Sequence, residues 1–252
     1  MRGIGRFVCR GVAPGRAFAR RAGRLALAIV LLGAICVPAA AADNTASVLE
    51  AAGWSESSPG LLASLPNRTA EIGASGIVGQ FVLAPGTALL WERRWKGGSG
   101  PGPALEIEMS SEGTNVSSKD YREHGASFPV SVTAVFGRDS LDLPVRTRIL
   151  DFFAAFWYGF RPGGIRLTYA IGHIAPAGSM YRLSDEETVF VLGGDEEKGK
   201  TITVRRDFAA DFRAAYGRDA RGPVTRLLVR AERPSRETGT IKARVRLVFP
   251  AK

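Results

Sequence analysis

Apolar side chains recur at every second position over several stretches of the chain. The clearest alternation covers 105–109, 130–136, 165–171 and 241–249. A period of two predicts β-strands that bury one face each. Less regular apolar runs predict five further strands, at 77–83, 89–96, 188–192, 201–205 and 224–231.

Two segments carry the helical period instead. In 149–160 the apolar residues fall three and four positions apart, and Gly163-Gly164 follows them. This spacing predicts an amphipathic helix with an aromatic face. Asp207 is suited to cap the start of a second helix, and Gly217 is suited to the left-handed position after its end.

About nine half-polar strands with few helices between them argue against a doubly wound parallel sheet. The pattern predicts a mainly β fold, an antiparallel β-sandwich of the jelly-roll or galactose-binding-like kind with two inserted or capping helices. We place this single domain at 72–252. The segment 43–71 is interpreted as a lead-in with a short helical stretch near 47–52, where Ser47 and Glu50 would form a capping box.

The first 42 residues have the composition of an export signal. An arginine-rich start precedes an apolar run at 25–37 and small residues up to Ala42. The run is shorter than the roughly 20 residues that a spanning helix needs, which leaves a retained anchor as the alternative. We therefore expect cleavage near Ala42 and a periplasmic or secreted product. Arg20-Arg21 leaves the general and twin-arginine routes open.

The formal net charge of +10 comes mostly from this first segment. It holds seven arginines, no acid and both cysteines, so 43–252 carries 27 basic and 24 acidic residues of the chain's 34 and 24. Near-neutral charge and export argue against a nucleic-acid partner. Without cysteine, the mature chain has neither a disulfide nor a thiolate nucleophile.

Five basic residues would form a stripe that is compatible with binding a phosphate-rich envelope glycolipid, although a solvated outer sheet face has the same pattern. Its members would lie on neighbouring strands: Arg226, Arg230, Lys242, Arg244 and Arg246.

Residues for metal or acid–base chemistry are sparse. The two histidines, His124 and His173, are about fifty positions apart, so we expect no metal site and no cofactor. Glu106 and Glu108 share a strand face about 7 Å apart, a separation compatible with an acid and base at a glycosidic bond. A solvated strand face has the same pattern.

The tryptophan-rich strand is the strongest candidate for ligand binding. Trp91, Arg93 and Trp95 share one face if the strand is regular. Flat aromatic rings beside an arginine stack on sugars and hold anionic groups, whereas core tryptophans with an arginine at the rim give the same spacing. We take the three residues as candidate ligand-binding side chains.

The block Arg-Arg-Asp-Phe-Ala-Ala-Asp-Phe-Arg-Ala-Ala-Tyr-Gly at 205–217, with Leu-Trp-Glu-Arg-Arg-Trp-Lys at 90–96, resembles the bacterial exported family known as domain of unknown function 3047. The resemblance implies an exported sandwich-like domain without an established activity. Asp120 and Tyr169 match the family's loop and tyrosine-bearing strand, and they join the candidate ligand-binding residues. At 232–239 this chain keeps only the Thr-Gly ending of the family's aspartate-rich turn, so a ligand or ion held by those aspartates in relatives would be lost here.

These observations predict an exported, non-catalytic module that binds an envelope saccharide or similar ligand. A structural or interaction protein of the envelope is one alternative, and a carboxylate-dependent polysaccharide hydrolase is another. In the interaction alternative, the aromatic helix face would contact a protein or membrane surface instead of the domain's own sheet. That face consists of Phe152, Phe153, Phe156, Trp157 and Phe160.

Overall fold

The structure, a computed structural model, describes residues 44–59, 63–95, 102, 104–113, 128–137, 164–171, 175–235 and 237–250. All of them belong to one compact unit, Asp43–Lys252. The expected signal peptide, Asp120 and the helix expected at 149–160 lie outside the described residues. No helix within the described ranges is both long enough and apolar enough to cross a membrane.

The described residues form twelve strands and two α-helices. The strands are β1 (Trp54–Ser57), β2 (Asn67–Gly73), β3 (Gly76–Leu83), β4 (Thr87–Arg94), β5 (Ala104–Glu112), β6 (Val130–Phe136), β7 (Ile165–Ile171), β8 (Met180–Ser184), β9 (Glu187–Gly193), β10 (Ile202–Asp207), β11 (Arg226–Arg233) and β12 (Ile241–Val248). The helices are α1 (Asn44–Ala51) and α2 (Phe208–Tyr216).

Two sheets pack face to face. The seven-stranded sheet has the order β1-β4-β11-β6-β7-β9-β8, and the five-stranded sheet has the order β10-β5-β12-β3-β2. Across the gap, β3 approaches β11, β12 approaches β6, β5 approaches β7, and β10 approaches β9. The contacts follow the strand order of both sheets, as in an aligned sandwich, and one hydrophobic core draws on both. The fold is therefore the predicted mainly β sandwich.

The period of two is confirmed by burial. In β12, Ile241, Val245 and Leu247 are buried, whereas Lys242 and Arg246 are exposed. All pairs in the five-stranded sheet are antiparallel. The seven-stranded sheet departs from the expectation at one pair, because β7 and β9 run parallel. β8, which the sequence pattern did not mark, returns antiparallel along β9 at the sheet edge.

β6 and β7 are buried on both faces, so the expectation of one buried face is wrong for these two strands. Several of their outward polar side chains form hydrogen bonds with one another or with Glu187 of β9. Thr133 Oγ1 and Thr168 Oγ1 lie 2.9 Å apart, the Thr168 hydroxyl donates to Glu187 Oε1 at 2.6 Å, and Arg166 Nε donates to Glu187 Oε2 at 3.1 Å. Polar residues tolerate burial when they are paired in this way, and a polar period does not reveal it.

The segment before residue 72 contributes an edge strand to each sheet. β1 pairs with β4, β2 pairs with β3, and the boundary expected at 72 falls inside β2. Ser47 lies within α1, where its hydroxyl donates to the Asn44 carbonyl at 2.9 Å, so the capping box expected there is not formed. Both strands were missed because they are short or polar.

The second predicted helix is confirmed as α2. Asp207 Oδ1 accepts hydrogen bonds from the backbone N–H groups of Ala209 and Ala210, at 2.9 and 3.0 Å. Gly217 follows the helix with φ 68°, and its N–H donates to the Arg213 carbonyl. Both ends therefore carry the caps that the sequence predicts.

Candidate functional site

Three of the candidate residues, Trp91 and Arg93 in β4 and Trp95 directly after it, share the face that points between the sheets. Trp91 pairs in register with Val229, and Arg93 pairs with Leu227, both core residues of β11. Trp91 is 0% exposed, whereas Arg93 and Trp95 are half-buried. The shared face thus begins in the core and becomes more accessible toward the end of the strand.

Trp91 fills the core and offers no ring face to a ligand, which corrects the expectation for this residue. Its ring centroid lies 5.0 Å from that of Phe81. Gly79 leaves room for the ring, since a Cβ at this position would lie 2.5 Å from the Trp91 Cζ3 atom. The indole Nε1–H donates to Glu56 Oε2 at 2.8 Å, so the polar atom is also satisfied inside the protein.

Glu56 joins the two sheets at this edge. In addition to the Trp91 hydrogen bond, its carboxylate accepts from Arg68 Nε at 2.6 Å and from Arg68 Nη2 at 2.5 Å. Glu56 is in β1 and Arg68 is in β2, which belong to different sheets. The side chains of this pair are 10% exposed or less. Sequence reasoning missed the pair because both residues fall in the segment interpreted as a lead-in.

Arg93, Trp95 and Phe249 form the candidate site, which we call the Arg93 cluster. The Arg93 guanidinium carbon lies 5.2 Å from the Trp95 ring centroid and 5.3 Å from that of Phe249. The two rings meet edge to face at 6.2 Å. Backbone hydrogen bonds hold both aromatic residues, from Trp95 N to Thr225 O at 2.9 Å and from Phe249 N to Ser75 O at 2.7 Å.

The Arg93 guanidinium contacts rings but, within the part of the chain that the structure describes, has no hydrogen-bond acceptor and no acidic partner. Partial burial lowers the pKa of Arg93 from its ordinary value. The cluster therefore combines two half-buried aromatic rings with a cation whose N–H donors meet no acceptor in the described ranges. Phe249 was expected only as the last apolar residue of its strand, and nothing in the sequence brings it to Arg93.

Tyr169 lies apart from this cluster, in a buried contact between β7 and α2. Its hydroxyl donates to Asp211 Oδ2 at 2.8 Å, and Arg206 donates to the same carboxylate. The Arg206 guanidinium also lies 5.4 Å from the Tyr169 ring centroid and 5.0 Å from that of Phe190. Burial, together with the Asp211 charge, raises the pKa of Tyr169 well above its ordinary value. This hydroxyl is occupied inside the protein, so Tyr169 is a core residue here.

The two carboxylates of β5, Glu106 and Glu108, lie beside different basic residues. Glu108 Oε1 accepts from Arg244 at 2.6 Å, and its Oε2 lies 3.4 Å from Arg246. Glu106 pairs in register with Arg205 of β10. Within the described ranges, no three His, Cys, Asp or Glu side chains are grouped as metal ligands would be.

The expected basic stripe does not form. Its residues lie on β11 and β12, which belong to different sheets. Arg226 and Arg230 form ion pairs with Glu92 and Glu232 in the seven-stranded sheet. The stripe was inferred from strands that are successive in sequence, and these two do not pair in one sheet.

Comparisons with known proteins add little to this description. No protein-family model matches the sequence, and a comparison with curated proteins found no match. Among solved structures, the chain is similar to the enzymatically active domain of tailspike protein 4 of bacteriophage CBA120, with a TM-score of 0.33 and 11% sequence identity. The match covers 82% of this chain and 21% of that chain, so this protein spans about a fifth of its length. A similarity of this size indicates no shared function.

Proposed function

We propose that the protein is an exported, non-catalytic β-sandwich module that binds an envelope saccharide or a similar ligand at the Arg93 cluster. The observation that carries the proposal is the pair of half-buried rings, Trp95 and Phe249, beside a guanidinium whose N–H donors have no acceptor among the described residues. Ligand sites typically combine apolar, often aromatic surface with a few polar groups that fix orientation.

Each part of the cluster suits a polyhydroxylated ring. The aromatic rings of Trp95 and Phe249 offer flat apolar surface for the C–H face of a sugar, and the Arg93 donors match its hydroxyl oxygens. The rings are supported by the core behind them and by their backbone hydrogen bonds. Such support reduces the conformational entropy that binding would otherwise lose.

The alternatives have less support among the described residues. A hydrolase acting through Glu106 and Glu108 would use a carboxylate that already accepts from Arg244 and lies near Arg246. The aromatic face assigned to an interaction protein, 152–160, lies outside the described residues. Export and periplasmic location are supported by the composition of 1–42, and membership of the exported family is supported by the sequence of 205–217.

Titration of the purified protein with a panel of neutral and acidic envelope oligosaccharides tests the proposal, with binding followed by calorimetry and tryptophan emission. We expect Trp95→Leu to abolish binding and Trp95→Phe to retain part of it, because the phenyl ring keeps a stacking surface. Arg94→Gln is the matched control, since Arg94 is an exposed neighbour of the cluster on the opposite face. Absence of binding across the panel, or unchanged affinity in a folded Trp95→Leu variant, contradicts the proposal.

A further inference from the structure

We infer that the ligand of the Arg93 cluster is an acidic saccharide, one whose carboxylate or phosphate group is held by Arg93; this inference rests on the proposed function. The two oxyanions share one chemistry, because both accept paired N–H donors from a planar guanidinium.

The first argument is that Arg93 differs from the other shielded arginines of the described chain. Most of the buried or half-buried ones form an ion pair with a carboxylate. The pairs are Arg68–Glu56, Arg166–Glu187, Arg206–Asp211, Arg226–Glu92, Arg230–Glu232, Arg233–Glu237 and Arg244–Glu108. Arg93 is half-buried with no such partner in the described ranges. Among the described residues, shielded arginines therefore have a carboxylate partner as a rule, and Arg93 has none of those carboxylates beside it.

The acid next to Arg93 in sequence does not serve as its partner. Glu92 points to the opposite face of β4, where its carboxylate accepts from Arg94 Nε and Nη2, both at 2.8 Å, and from Arg226 Nη1 at 3.3 Å. A strand places successive side chains on opposite faces, so Glu92 has no route to the inner face. The positive charge at the cluster is consequently not neutralised by its own strand.

The contacts of Arg93 with the two rings do not use its directional N–H donors. Trp95 and Phe249 attract the cation through their ring faces, but neither ring offers an oxygen acceptor. A guanidinium donates five N–H bonds in its own plane. Since burial already removes part of its hydration, as the lowered pKa of Arg93 indicates, an oxyanion gains more here than beside an exposed arginine.

A neutral hydroxyl would also accept from Arg93, but less strongly. A carboxylate or phosphate adds an opposite charge to the guanidinium and presents two oxygens that accept its paired N–H donors, whereas a hydroxyl presents one neutral oxygen. We therefore expect a charged sugar to bind about tenfold or more tightly than its neutral counterpart.

The test compares each charged ligand with a neutral counterpart. A galacturonic acid trisaccharide is titrated beside the same trisaccharide with methyl-esterified carboxyls, and glucose 6-phosphate is titrated beside glucose. The expected result is a preference of about tenfold for at least one charged member. The first pair reports a carboxylate ligand and the second a phosphate ligand. Raising the salt from about 20 mM to about 300 mM is expected to weaken the charged ligand and to leave the neutral one unchanged.

Variants assign the preference to Arg93. Arg93→Gln is expected to abolish it, Arg93→Lys to keep part of it through charge without the fork, and Arg94→Gln to leave it intact. Circular dichroism and thermal unfolding check that each variant is folded. If Arg93→Gln does not fold, Arg93→Lys replaces it, and a reduced preference for the charged ligand is then expected. Equal affinity for charged and neutral members, or a preference that survives Arg93→Gln, overturns this inference. The proposed function, a saccharide-binding module, is not contradicted by either result. Failure of all saccharides, charged and neutral, overturns the proposed function as well.

Discussion

The Tyr169 hydroxyl donates a hydrogen bond of 2.8 Å to Asp211 Oδ2, and this bond ties the middle of β7 to helix α2. The same carboxylate accepts from Arg206 Nε at 2.9 Å. Tyr169 and Asp211 are both buried, and the Arg206 side chain is 25% exposed. One acid therefore satisfies a hydroxyl and a cation that the core shields from water.

Removal of this acid is expected to destabilise the fold. Asp211→Ala leaves the Tyr169 hydroxyl and the Arg206 guanidinium without their acceptor, and we expect a loss of about 2 to 4 kcal/mol in the free energy of unfolding. Urea denaturation followed by circular dichroism measures the change. Asp219→Ala is the control, because the Arg213–Asp219 pair is exposed, with side chains 66% and 73% accessible. Its loss is expected to stay below about 1 kcal/mol, and equal losses in both variants would contradict the assignment.

The buried tyrosine also predicts a dependence of stability on alkaline pH. Because burial raises the pKa of Tyr169 in the folded state, the unfolded chain ionises first, at a pH of about 10. Below that pH the contribution is fully present. Above it the free energy of unfolding falls as pH rises toward the folded pKa, by up to about 1.4 kcal/mol per pH unit for this group. Tyr169→Phe removes this group, so the alkaline decline should be shallower in the variant, and identical slopes would refute the prediction.

The layers of this fold were predictable from sequence because the apolar period is strict where one sheet face meets the core. Ile241 to Leu247 show the rule at its clearest. β1 and β8 were not predictable, since strands of four and five residues give too few positions to show a period. β9 can run parallel to β7 because β8 lies between them in sequence and reverses the direction of the chain. Since β8 was not predicted, the parallel pair was not predicted either.

The strand that carries the candidate site was predictable from the sequence, but the full set of residues that form the site was not. The period of two correctly put Trp91, Arg93 and Trp95 on one face. The period does not show how strongly each position of that face is buried. In the structure Trp91 is fully buried in the core, whereas Trp95 is half-buried. Phe249 joins the cluster through packing between the two sheets, a contact without a local signal. The sequence therefore identified the strand of the site, and the structure identified the position along it.

The ion pair between the edge strands is expected to contribute to stability. Glu56→Ala removes the acceptor of Arg68 and of the Trp91 indole, so we expect a loss of about 3 to 5 kcal/mol in the free energy of unfolding. Glu56→Gln keeps an acceptor for Trp91 and is expected to lose less. Urea denaturation of both variants, with Glu112→Ala at an exposed strand end as the control, measures the difference. A Glu56→Ala variant as stable as the control would contradict this role.

Gly79 offers a direct test of the packing around Trp91. A glycine inside a strand often marks a close approach of a neighbouring group. Here an added Cβ would lie 2.5 Å from the Trp91 Cζ3 atom and 2.7 Å from the Phe81 Cζ atom, so both buried rings, or the strand itself, would have to move. We expect Gly79→Ala to lower the free energy of unfolding by about 1 to 3 kcal/mol.

Gly73→Ala is the matched control for this substitution. Gly73 ends β2, has no positive φ, and an added Cβ would meet nothing within 4 Å. The alanine restricts the unfolded chain without a clash, so stability should be unchanged or rise by up to about 1 kcal/mol. Urea denaturation of the two variants, with tryptophan emission as a second probe, compares them. If both alanines have the same effect, the Trp91 ring does not pack against Gly79. The assignment of Trp91 to the core and of Trp95 to the candidate site is then contradicted as well.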